Sequence, residues 1–140
     1  MRRSLAIVLA LALGACADHM ARQQIIDSRA PDYLERLHAA TMAPYYAWEK
    51  EDPVSCDSPT LLEARAAVLD TALMITPQKQ GFPASYDAAR WMLEVADGAS
   101  ARGCSGVARD LYAKVNAIYV GLGYVALRQH ASAGLAQLGD

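Results

Sequence analysis

Residues 58–75 read SPTLLEARAAVLDTALMI, and their reading decides the fold. The Ser58 hydroxyl can cap the first free N–H groups of a helix, and Pro59 suits the first helical position, where no N–H is needed. Leu61, Leu62, Val68, Leu69, Leu73 and Ile75 then form a broad apolar stripe with Glu63 and Asp70 behind it. The spacing predicts an amphipathic helix that stops at Thr76-Pro77.

The same period recurs on both sides. Downstream, Ser85 is expected to cap a helix with Trp91, Met92, Leu93, Val95 and Ala96 on one side. Asp87, Arg90, Glu94 and Asp97 occupy the other, with Arg90 and Glu94 at pair spacing. Gly98 and Arg102-Gly-Cys104 end it. Ser105 opens the longest predicted helix, to about Ala131, whose inward stripe is Val107, Leu111, Val115, Ile118, Leu122 and Val125. Gly121 and Gly123 weaken it by up to ~1 kcal/mol each relative to Ala, and Ser132 to Asp140 is expected to fray. Upstream, Pro31 begins a helix that places Tyr33, Leu34, Leu37, Ala40 and Thr41 on one face; Pro44 breaks or kinks it, and Tyr45–Lys50 can continue it for a turn or two. No segment alternates with period two. The fold class that follows is all-α: an antiparallel four-helix bundle with a long C-terminal helix over residues 31–140.

A chain of 140 residues, 54% hydrophobic and with a net charge of −2, makes one domain and has no basic stretch to neutralise phosphates. A nucleic-acid partner is therefore excluded.

Residues 1–16 read MRRSLAIVLALALGAC. Arg2 and Arg3 precede an uncharged run, Leu5–Leu13, whose helical length of roughly 14 Å falls far short of the ~30 Å hydrocarbon core. It reads as a secretory leader rather than a membrane span. Its end, Leu13-Gly-Ala-Cys16, resembles the lipobox of bacterial lipoprotein precursors. That resemblance covers the leader only. It implies cleavage before Cys16, a diacylglyceryl thioether on its sulfur, and a mature chain held at a membrane facing the periplasm. With Ala17 and not Asp after the cysteine, it implies the outer membrane over the inner. Residues 1–15 are then the leader and 16–30 a tether or short helix. The mature charge falls to −4 when Arg2 and Arg3 are lost.

With Cys16 assigned to lipid, Cys56 and Cys104 remain as a pair in an oxidising compartment. Cys56 lies between the first and second bundle helices and Cys104 between the third and fourth. In an up-down-up-down bundle both connections sit at the same end, so a disulfide is expected. It would close a loop of 49 residues, worth roughly 4 kcal/mol on the chain-entropy model.

Nothing in the sequence carries a catalytic or cofactor pattern. His19, His38 and His130 have no metal-pair spacing, the serines fall at loops and caps, and no phosphate-binding or nucleophile-elbow motif occurs. Neither enzyme activity, cofactor nor metal is expected. Arg65 projects into the apolar stripe, where it either snorkels to water or pairs with Asp110 or Asp32. Val120, Tyr124 and Leu127 form a second apolar line on the last helix, with Ala113 and Ala117 extending it. That line is either covered by another segment or docks a partner or a second copy. Tyr45, Tyr46, Trp48 and Phe82 either close one end of the core or line a small pocket. The expected function is that of an accessory or assembly subunit of a cell-envelope complex, binding a partner through Val120, Tyr124 and Leu127. The alternative is periplasmic binding of a small apolar ligand near Trp48, Phe82 and Trp91.

Overall fold

The computed structural model describes Met20 and residues 32–139. The leader, Cys16, His19, the remaining residues of the tether and Pro31 lie outside the described residues. The chain divides into two compact units at Ala40/Thr41. In the first, the described residues enter a helix through Asp32, which pairs with Arg36 one turn on at 3.2 Å.

The helices are α1 (Tyr33–Glu49), α2 (Pro59–Met74), a single turn α3 (Pro77–Gln80), α4 (Phe82–Ala101), α5 (Ser105–Ile118) and α6 (Val125–Leu138). A 3-10 turn, Leu122–Tyr124, precedes α6. No strand occurs among the described residues. The fold is an all-α bundle stapled by one disulfide, Cys56–Cys104.

The side-chain pairings of the second unit fix the helix directions. Tyr46 donates to Glu94 at 2.9 Å, and the Arg102 guanidinium lies 5.7 Å from the Trp48 ring centre, so α1 and α4 advance together. Thr41 meets Thr71 and Ser58 donates to Glu51, which makes α2 antiparallel to α1. Cys56 bonds Cys104 and Arg65 pairs with Asp110, so α2 and α5 run parallel. The order is up, down, up, down, with α6 running up again beside α5. Helix α4 is the central one, packing on α2, α3, α5 and α6 with ten buried residues from Ala84 to Ala99.

Several features differ from the sequence expectation. Ser58 caps α2 as expected, accepting from the Thr60 N–H. The buried face of that helix, however, is Leu61, Ala64, Val68, Thr71, Ala72 and Ile75, while Leu62 and Leu73 are exposed. At 100° per residue those two leucines fall opposite Ala64 and Val68, and the small alanines had hidden the true stripe. Helix α4 begins at Phe82 rather than Ser85; Ser85 is buried and accepts a hydrogen bond from Tyr124 at 2.9 Å. Helix α1 runs on past Pro44 to Glu49, the continuation that the sequence allowed. The tail to Leu138 is helical, and Arg109 donates to the Gly139 carbonyl at 2.7 Å.

The largest difference is that the predicted helix from Ser105 to Ala131 is two helices. It stops at Ile118, crosses Gly121 in extended geometry, and returns as α6. Two close approaches hold the fold-back: a Cβ on Gly123 would collide with the Phe82 ring, and one on Gly134 with the Tyr112 ring. Only glycine lets the chain pass there.

Candidate functional site

At the disulfide end, α4 finishes in a turn that the sequence builds with Gly103. The Cys104 N–H bonds the Ala99 carbonyl at 2.8 Å and the Gly103 N–H bonds Ser100 at 3.0 Å. This is the pairing of a Schellman motif, with Gly103 at φ +77°. Cys104 thereby arrives at a fixed position, and its Cα lies 5.2 Å from that of Cys56, within the ~7 Å a disulfide can span. Beside it, the Arg65 Nε sits 2.7 Å from Asp110 Oδ2, both side chains partly exposed. Arg65 therefore takes the paired option rather than snorkelling alone.

The expected line of Val120, Tyr124 and Leu127 is not assembled on one helix face. Val120 lies in the connection and is exposed, whereas Tyr124 and Leu127 are buried. Ala113 and Ala117, on α5, are exposed. The break at Tyr119–Tyr124 folds the second half of the predicted helix back on the first, so the covering segment is the chain's own continuation. Tyr124 becomes the centre of an aromatic cluster, with ring centres 5.1 Å from Phe82, 5.3 Å from Tyr119 and 6.3 Å from Tyr86.

Trp48, Phe82 and Trp91 do not line a common pocket. Trp48 is buried at the disulfide end, its indole N–H donating to the Ser55 carbonyl at 2.9 Å. Phe82 is the first residue of α4 and Arg102, which covers Trp48, follows its last. A helix of this length spans about 30 Å, so the two aromatics mark opposite ends. Trp91 is buried midway along α4.

What the structure gathers instead is an apolar end remote from the disulfide. Leu122 is 93% exposed, Val120 70%, Leu73 68%, Phe82 44% and Val125 37%. All five belong to the termini and connection that meet there. Scattered exposed apolar residues are ordinary, but several large ones at one end are not. Next to them, Ile75, Tyr119, Val120 and Tyr124 help to line a cavity of about 360 Å³.

A polar cluster that sequence reasoning missed lies between α4, α5 and α6. Asp97 accepts from the Tyr112 hydroxyl at 2.6 Å and meets His130 Nε2 at 2.9 Å through both carboxylate oxygens. Its members stand 15 and 33 residues from Asp97, so no local spacing could have revealed it. His130 and Asp97 are about half exposed, which makes the cluster a tie between helices. Among the described residues no group of His, Cys, Asp or Glu could hold a metal, and no helix is long and apolar enough to cross a membrane.

No family model, no characterised protein and no solved structure matches the chain.

Proposed function

We propose that the protein is an exported, lipid-anchored accessory subunit of a cell-envelope complex, that its work is binding, and that its docking face is the apolar end of the bundle. The observation that carries this reading is the exposure of Phe82, Val120, Leu122 and Val125 together, at the end where the chain folds back on itself. Apolar side chains so placed keep much of their surface in water in the free molecule, and a partner surface would remove it. The Cys56–Cys104 bond supports an oxidising compartment, and the leader ending in Cys16 supplies the anchor.

Mass spectrometry of the mature N-terminus should find a diacylglyceryl-modified Cys16. In cross-linking followed by mild-detergent pulldown, a discrete envelope protein should be recovered with the native chain. It should be lost with Leu122→Asp and retained with Leu62→Asp, which alters an exposed leucine at the other end. An unmodified N-terminus refutes the anchor, and equal recovery with both variants refutes the docking face.

A further inference from the structure

The cavity beside Tyr119 is bounded by the end of α2, by α3, by the start of α4 and by the Tyr119–Tyr124 connection. Its volume of about 360 Å³ lies at the lower end of the ~300–1,000 Å³ range of small-molecule pockets. Ile75, Pro77, Ile118 and Val120 supply apolar wall, and no lining side chain is charged.

One polar group here is unused. Tyr119 is 3% exposed, and its hydroxyl is buried with no hydrogen-bond partner. The neighbouring hydroxyls are engaged, since Tyr124 donates to Ser85 and Thr76 accepts from the Lys79 N–H. Burial, and then the neighbouring Tyr124, hold the Tyr119 pKa above its ordinary value, so the hydroxyl stays a neutral donor at any physiological pH. A buried hydroxyl without an acceptor is a standing penalty that an acceptor oxygen would lift.

We propose that this cavity binds a small neutral molecule, mostly apolar, with one carbonyl or ether oxygen that accepts the Tyr119 hydroxyl proton in a hydrogen bond. An anion is disfavoured because no cation lines the site and an unpaired carboxylate would have to be stripped of water. The pocket shares Val120 with the docking face, but Leu122, the outermost residue of that face, does not line it, so substitution at Leu122 tests the two apart.

The test is thermal unfolding of the full lipidated chain in detergent, titrated with 2-octanone and, in parallel, with octanoate. Because ligand bound only to the folded state raises the melting temperature, the ketone should raise it saturably while octanoate should not. Tyr119→Phe should leave the circular dichroism unchanged and weaken the response about tenfold. Val120→Trp, which adds bulk at an exposed lining position, should abolish it. Leu122→Asp should keep the full response even where it loses the envelope partner. No saturable response to the ketone, an equal response to octanoate, or a response unchanged in both Tyr119→Phe and Val120→Trp would overturn the proposal.

Discussion

Arg128, in the first turn of α6, donates through Nη1 to the carbonyl of Tyr119 at 2.7 Å, and also to that of Gly121 at 2.9 Å. Carbonyls at the end of a helix lack intrahelical partners and carry partial negative charge. The guanidinium thus seals the end of α5 from the far side of the break. Arg128→Met should cost about 1–2 kcal/mol in urea unfolding and speed amide exchange across residues 119–124. Unchanged exchange there would show that the glycines alone hold the fold-back.

Two glycines in helices should respond to alanine with opposite signs. Alanine is ordinarily the better helix former by about 1 kcal/mol. Gly106 lies in α5 with nothing near its Cβ position, so Gly106→Ala should stabilise by up to that amount. Gly134→Ala should destabilise by about 1–3 kcal/mol, because the new methyl meets the ring of Tyr112, whose hydroxyl is tied to Asp97. Midpoints of denaturant unfolding check both.

Cys104→Ser should lower stability by roughly 4 kcal/mol on the chain-entropy model, and treatment of the native chain with reductant should match it. A loss in the variant alone would locate the effect in packing of the buried Cys104 side chain.

Alkaline pH should unfold the protein through its tyrosines. Burial and the hydrogen bond to Glu94 push Tyr46 up to about 12; burial also raises Tyr45 and Tyr112, which donate to Glu49 and Asp97. An unfolded tyrosine ionises near 10, so the folded state binds these protons more tightly. The stabilisation is complete below pH 10 and is lost as pH rises from there through 12. Tyr46→Phe should flatten the fall, measured as the urea midpoint against pH.

The bundle was legible where local chemistry and tertiary need agree. Ser58-Pro59 starts a helix in any context, and the alternation of four helices brings Cys56 and Cys104 to one end without any knowledge of packing. The fold-back was not legible, because Ile118, Leu122 and Val125 keep helical spacing straight across the break. Periodicity cannot tell a stripe that continues inward from one that ends in solvent, where Leu122 stands 93% exposed. Gly121 and Gly123 were the available signal, but their weight depends on Phe82, which reaches Gly123 only after folding. The cavity and the Asp97 cluster draw on separate helices and have no signature in any single stretch.

The Cys56–Cys104 bond also sets how the molecule answers a pull. The residues between the two sulfurs, a separation of 48, form a closed ring of chain. Tension applied between the N-terminal and C-terminal segments bypasses that ring, withholding about 170 Å of contour at full extension. In the oxidised state α2, α3 and α4 are shielded from the load, and the parts that can be drawn out ahead of them are α1 on one side and the hairpin of α5 and α6 on the other.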